Sequence, residues 1–425
     1  MKHLRFYHTP RSISVCFAVA AFAAAAFLFA AASRLGLGQT AAAAAPSHEK
    51  PAANAASARA AAPRWRVAVA ALPADASPDD YFVRDVRSSR ILESQPYDSD
   101  GDGKPDQLLF LSTATPATPT TPTATTATAH TVPSEYAVVR KPADFRAPAP
   151  VKRVHARFAP ERMDDFLWEN DRIAHRVYGP ALVTGEGTLS SGIDVFVKST
   201  NALVMDKFYK RGDYHRDHGE GLDCYDVGQS RGLGGTAIFH GGKWYPSGNF
   251  VTWRVLAAGP LRVEFELTYA AWDVGGRKVS EVKRFTVDAG SDFTKVVSRF
   301  TTTGDAPLLV GAAVLRTDWK GRRKHATRAY ALADKADSPA APAASGDGWL
   351  ADWQPNRGQN GATAVGLVVP GALAAKAVEG HWILSRSVRS GEPFTYYIGA
   401  GWSKGWYPQK AGWIAAVKAF AQETR

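Results

Sequence analysis

"LRVEFELTYAAWDVGGRKVSEVKRFTVDAG", Leu261 to Gly290, alternates apolar and polar side chains on both sides of a Gly-Gly pair. Val263, Phe265, Leu267 and Tyr269 fall on one face and Arg262, Glu264, Glu266 and Thr268 on the other, which is the period-two pattern of a half-buried strand. Two such runs joined by Gly275 and Gly276 predict a β-hairpin, because a two-residue turn between twisted strands needs positive φ in its centre.

The same pattern recurs in "KVVSRFTTTG", "LLVGAAVLRTD", "TAVGLVVPG" and "PFTYYIGAGW", whereas only "AGWIAAVKAFAQETR", with Trp413, Val417 and Phe420, has helical spacing. Many long antiparallel strands with one polar face predict an all-β fold of stacked sheets, a large sandwich over 146–425. Upstream, "RWRVAVAALP", "YFVRDV", "DQLLFLS" and "EYAVVRK" predict a small β-domain over 64–141. The Thr/Pro tract at 113–131 reads as a disordered insertion in it, and the Ala/Pro/Ser-rich 46–63 as a linker.

Residues 1–45 run from basic to apolar to small, the order of a secretory signal with cleavage near Ala45. The protein is therefore expected in the periplasm or outside the cell, without stable membrane association after cleavage. The formal charge of +11 falls to +7 when the four basic residues of 1–45 are removed. A positive surface suits an acidic partner, and export argues against nucleic acid. Of two cysteines only Cys224 remains after cleavage, so no intrachain disulfide is expected and stability rests on core burial. Cys224 itself reads as a small buried apolar residue.

"DSDGDGKPD" sets Asp98, Asp100, Asp102 and Asp106 round a tight turn at Gly103. This resembles the first half of a calcium loop, although Leu109 stands where the twelfth-position Glu of an EF-hand would be. A structural Ca²⁺ is expected there, and no organic cofactor. "FLWENDRIAHRVYGPAL" reads as mostly structural, with His175 an exposed or satisfied strand residue.

The densest chemistry is "GDYHRDHGEGLDCYDVGQSRGLGG", Gly212 to Gly235. Its seven glycines predict a loop that comes close to a ligand. His215 and His218 can take up or give a proton, Tyr214 and Tyr225 can donate one, and arginines can grip a carboxylate in two places. A metal reading with His215, Asp217, His218, Glu220 and Asp223 lacks a recognised ligand spacing and ranks below metal-free chemistry.

"PERMDDFLWENDRIAHRVYGP", "SGIDVFVKS", "YHRDHGEGLDCYDVGQSRGLGGTAI", "KRFTVDAGSDF", "FTYYIGAGWSK" and the "DGDGKPDQLLF" loop together resemble the bacterial domain-of-unknown-function family 4861, common in polysaccharide-utilisation loci. The resemblance spans most of 65–425. It implies a β-supersandwich of galactose-mutarotase type and a uronic-acid oligosaccharide as substrate, through kinship with an ulvan oligosaccharide dehydratase. Two features depart from the family pattern, His175 in place of an aromatic residue and the insertion at 113–131.

For such a substrate the chemistry is β-elimination, by a dehydratase or a lyase. The sugar carboxylate is neutralised, a base removes the C5 proton and an acid protonates the departing C4 oxygen. His215 or His218 is expected as base, Tyr214 or Tyr225 as acid, and Arg231 with Arg176 as the carboxylate clamp. Two alternatives remain open. One is a hydrolase using Glu220 and Asp223; the other is a glycan-binding protein stacking sugars on Trp244, Trp253, Trp402 or Trp406.

Overall fold

A computed structural model of the chain describes residues 65–73, 75–113, 135–316 and 341–425. The leader, the linker and, beyond Thr113, the Thr/Pro insertion lie outside these residues.

Arg262–Val274 and Arg277–Asp288 pair antiparallel from Arg262 opposite Asp288 to Val274 opposite Arg277. Gly275 and Gly276 hold φ of 61° and 90°, so the predicted hairpin closes through the turn type that matches strand twist. It sits in an eight-stranded sheet whose order is Phe250–Ala258, Arg262–Val274, Arg277–Asp288, Phe293–Thr302, Pro393–Trp402, Ala362–Val368, Trp349–Pro355 and Ala344–Gly346.

Two five-stranded sheets cover the apolar face of this sheet. The first runs Gly221–Asp223, Ile193–Lys198, Ala174–Val177, Asp165–Asn170, Val154–Ala159. Its Phe166 and Trp168 rings lie 4.5 and 5.4 Å from Phe265, and Trp168 Nε1 donates to Thr294 Oγ1 at 3.1 Å. The second runs Lys243–Pro246, Leu233–His240, Leu308–Leu315, His381–Val388, Lys376–Val378. Tyr396 of the large sheet donates to its Gly234 carbonyl at 2.8 Å. A parallel bridge between Ile193 and Gly232 joins the two. The chain is thus an all-β antiparallel supersandwich around one main core, in which each large apolar side chain taken fully out of water contributes about 1.5–3 kcal/mol.

Alternation in the hairpin predicts which positions point inward, but two inward positions are charged. Glu281 and Lys283 are fully buried. Thr236 and Ser247 donate to the Glu281 carboxylate at 2.8 and 3.2 Å, and Lys283 Nζ lies 4.5 Å from the Tyr269 ring centroid. Burial lowers the Lys283 pKa against the pull of Glu281.

The C-terminal helix Lys410–Glu423 lies against the large sheet, burying Trp413 and Val417, with Trp413 Nε1 donating to the Val365 carbonyl at 3.0 Å. The described residues within 66–140 form a three-stranded sheet (Arg66–Ala70, Gln107–Ser112, Ser94–Tyr97) and a two-stranded one (Tyr81–Asp85, Tyr136–Arg140) round a small cluster of their own. Gln95 Oε1 accepts the backbone N–H groups of Leu261 and Arg262, both at 2.9 Å, which ties this sheet to the start of the hairpin. No helix among the described residues is long and apolar enough to cross a membrane.

One local device sets up the chemistry. The buried Glu169 carboxylate accepts the N–H groups of Val204 and Met205 at 2.7 and 2.9 Å and faces Lys198 Nζ at 3.1 Å. It thereby satisfies the first amides of the helix Met205–Arg211, which otherwise lack partners. Gly212 ends that helix with φ of 78°, a left-handed stop that suits glycine. The glycine-rich segment starts there.

Candidate active site

A cleft of about 910 Å³ opens against the first five-stranded sheet. Arg162, Arg176, Asp194, His215, Asp223 and Tyr225 line it, and Gln354, Asn356, Arg357 and Asn360 add amides and a cation.

Arg176 is the hub. Its Nη2 lies 2.9 Å from Asp194 Oδ2 and 2.9 Å from Asp223 Oδ2, its Nη1 lies 3.6 Å from Asp165 Oδ2, and its Nε donates to Asp194 Oδ2 at 2.9 Å. Cross-strand pairing brings the hub together, because Arg176 stands opposite Asp194 in neighbouring strands and Asp223 stands on the next strand, opposite Phe196. All four charged groups are buried.

Three carboxylates around one guanidinium leave excess negative charge in a poorly solvated place. Burial pushes the Asp194 carboxyl up to about 8, helped by the Asp223 charge and opposed by Arg176. Burial also pushes Asp165 and Asp223 up to about 6, again against Arg176. Burial works against the charge on Arg176, but Asp194 and Asp223 hold its pKa well above the ordinary value. The coupled Asp194–Asp223 pair therefore holds a proton to higher pH than an ordinary carboxylate does, with Arg176 opposing that rise.

A carboxyl whose pKa is higher in the folded than in the unfolded chain binds more protons when folded. Its ionisation therefore removes stability as pH rises from the unfolded value through the folded one. For Asp194 that window runs from about 4 to about 8. Asp194→Asn should consequently gain melting temperature relative to the wild type as pH rises across this range; a difference that stays flat or shrinks contradicts the placement of the charge.

His215 presents an exposed imidazole to the cleft. Its Nδ1 lies 3.5 Å from Asp223 Oδ2 and 3.3 Å from the Asp223 carbonyl oxygen, with the imidazole side chain 67% exposed. Tyr225 lines the cleft. Tyr214 is buried beside it, its ring 4.6 Å from that of His215, and its hydroxyl oxygen accepts from Arg162 Nε at 3.1 Å and Arg176 Nη1 at 3.4 Å. Burial raises the Cys224 thiol to about 12, a poor nucleophile at neutral pH.

Other residues singled out in the sequence sit elsewhere. Arg231 is buried at the end of the second five-stranded sheet, 3.5 Å from Glu379, with its backbone N–H on His381 Nε2 at 3.0 Å, and it does not line the cleft with Arg176. His218 pairs with Asp213 at 3.4 Å and Glu220 with Lys207 at 2.6 Å, both outside the cleft lining. Trp402 is buried and donates to the Asn360 carbonyl at 2.8 Å, supporting a cleft residue rather than lining the cleft. Trp406 is buried under Arg172, whereas Trp253 is 44% exposed and stacked on Phe158. His175 is fully buried against Trp168, with Nδ1 3.0 Å from the Asp194 carbonyl oxygen, and burial lowers its pKa to about 4. Asp165, Asp194 and Arg162 belong to the site without having been singled out. The segment "FLWENDRIAHRVYGPAL", read as mostly structural, supplies the hub.

In the calcium-type loop, Asp98, Asp100 and Asp102 bring oxygens within 4.8 Å of one another. Asp106 instead accepts the Ser99 amide at 2.7 Å. Asp98 already accepts the amides of Gly101 and Gly103 at 2.7 and 2.8 Å, which lowers its pKa.

Among solved structures, a glycosyl hydrolase family 38 protein from Enterococcus faecalis aligns with a TM-score of 0.42 and 10% identity, over 83% of this chain and 41% of that one. An alpha-mannosidase from Enterococcus faecalis gives 0.39 and 9%, over 80% and 42%. The chain spans about two fifths of the length of each. "Uncharacterized protein P7" of Formosa agariphila is 30% identical over 366 residues, 81% of this chain and 82% of that protein. The family model described as domain of unknown function DUF4861 matches residues 66–425, and the chain belongs to that family.

Proposed function

We propose that the protein is an exported carbohydrate-active enzyme that acts on uronic-acid-containing oligosaccharides by β-elimination. What supports this reading most is His215, exposed on a polar cleft and backed by the Asp223 carboxylate. A hydroxyl-rich ligand suits a wall of amides, hydroxyls and fixed charges better than an apolar one would. The Asp223 carboxylate beside Nδ1 favours a proton there and leaves Nε2 as the base.

In this reading His215 takes the C5 proton, the C4–O bond breaks as the C4–C5 double bond forms, and Tyr225 returns a proton to the departing oxygen. If that oxygen is a hydroxyl the enzyme is a dehydratase; if it carries another sugar, a lyase. Arg162 and Arg357, both on the cleft wall, face the sugar carboxylate, because Arg176 is committed to its three aspartates. Uronate-terminated oligosaccharides should develop the ultraviolet absorbance of a conjugated unsaturated uronate, and matched neutral oligosaccharides should not. No new absorbance across a broad uronate panel overturns the reaction. One observation favours a second reading, hydrolysis by a carboxylate pair: Asp194 and Asp223 both line the cleft, each 2.9 Å from Arg176 Nη2. That reaction adds water without a chromophore.

The proposal includes a structural Ca²⁺ held by Asp98, Asp100 and Asp102, hard oxygen donors of the kind calcium takes. It would tie down the turn and take no part in proton transfer. Calcium should raise the melting temperature, Asp100→Ala should abolish that rise, and turnover should stay within about twofold of wild type, since mutations remote from the chemistry leave it largely untouched. Loss of turnover in folded Asp100→Ala separates neither role and overturns this one.

A further inference from the structure

The outer face of the eight-stranded sheet carries a second concavity that shares no lining residue with the cleft round Arg176. Two hollows of about 450 and 250 Å³ meet at Asp288, Ser291, Phe293 and Phe420. They form one trench walled by the small N-terminal sheet and the C-terminal helix. Trp65 stands at one end and Tyr397 with Lys295 at the other.

Its floor combines two kinds of group. Partly buried aromatic rings line it: Trp65 with the Arg153 guanidinium 5.5 Å from its centroid, Phe420 lying flat on Phe293 at 3.9 Å, and Tyr397 edge-on to Phe420. Beside them stand carboxylates already fixed by other partners. Arg284 and Thr286 each donate to Glu264 at 2.6 Å, and Arg262 grips Asp288 through two bonds of 2.6 and 2.8 Å. These bonds outweigh burial and hold the Glu264 carboxyl below its usual range. Fixed carboxylates and the Lys295 ammonium offer polar partners for the hydroxyls of pyranose units, and the neighbouring rings offer flat surfaces for their C–H faces. No group in the trench repeats the pairing of an exposed imidazole with a buried carboxylate that marks the cleft.

We propose that this trench is a second, non-catalytic binding site for an extended polysaccharide chain, an inference that rests on the carbohydrate-active reading of the protein. It would hold the polymer while the cleft works on a terminus.

Retention in gels containing polygalacturonate, alginate, ulvan or neutral laminarin tests it. Wild type should be retarded by at least one polymer. Tyr397→Leu, which keeps apolar bulk but removes the flat ring, and Tyr397→Leu combined with Lys295→Ala should weaken retention about tenfold, as loss of an aromatic anchor does. Both should melt as wild type and turn over short oligosaccharides unchanged, while His215→Ala should be retained in full. If no polymer retains the wild type, or the trench variants are retained equally well, the trench site is wrong even where short oligosaccharides turn over. If retention depends on Tyr397 but no oligosaccharide is turned over, the trench stands and β-elimination falls.

Discussion

Arg176→Ala should destabilise the protein by about 3–5 kcal/mol, the usual result of removing one partner from a buried charge cluster. The side chain is 4% exposed, and its loss leaves Asp165, Asp194 and Asp223 without the counter-ion all three share. It also lies 5.1 Å from the Phe196 ring and 5.4 Å from the Tyr214 ring, so packing is lost along with charge. The loss should shrink in acid, because protonated carboxyls need no counter-ion, and the wild-type carboxyls already hold protons up to about 6 and 8. Arg176→Lys keeps a positive charge but cannot contact three carboxylates in a fixed fork, so it should fall between. Denaturant midpoints at pH 5 and pH 8 check both effects. An Arg176→Ala variant as stable as wild type at pH 8 contradicts the hub.

His215→Ala should behave in the opposite way. The imidazole is 67% exposed, so the melting temperature should stay within a degree or so, as for most surface substitutions. Loss of a positioned base typically slows a reaction by about 10²–10⁴-fold. His218→Ala is the matched control, since His218 faces Asp213 outside the cleft, and it should keep turnover near wild type. Equal losses in the two variants would remove His215 from its role.

The fold was legible where the physics is local. Gly275 and Gly276 between alternating runs announce their hairpin, and Trp413 and Val417 one turn apart announce the face of the last helix. The hub was harder to read for a reason visible in its strands. Every residue of Asp165–Asn170, Ala174–Val177 and Ile193–Lys198 is buried. One face packs on the large sheet through Phe166 and Trp168, while Leu167, Ala174 and Phe196 pack with Phe208 of the short helix. With both faces covered, no alternation marks Asp165 or Asp194 as different from its neighbours.

Long-range pairing accounts for the rest. His215, Asp223 and Tyr225 could be picked from a glycine-rich segment crowded with titratable groups, and all three line one cleft. Which arginines join them depends on strands far apart in sequence. Arg231 lies in the same segment as His215 yet turns to Glu379 and His381, whereas Arg162 and Arg357 reach the cleft from segments with no shared sequence signal. The segment is also not wholly a loop, since Gly221–Asp223 pairs with Phe196–Lys198 and so brings Asp223 to Arg176.

Turnover of a uronate-terminated oligosaccharide carrying deuterium at C5 tests proton abstraction in this cleft most directly. The deuterium should be lost to solvent in every product molecule, and the wild-type rate should slow with the label. A product that retains deuterium at C5 and forms at the unlabelled rate would contradict it.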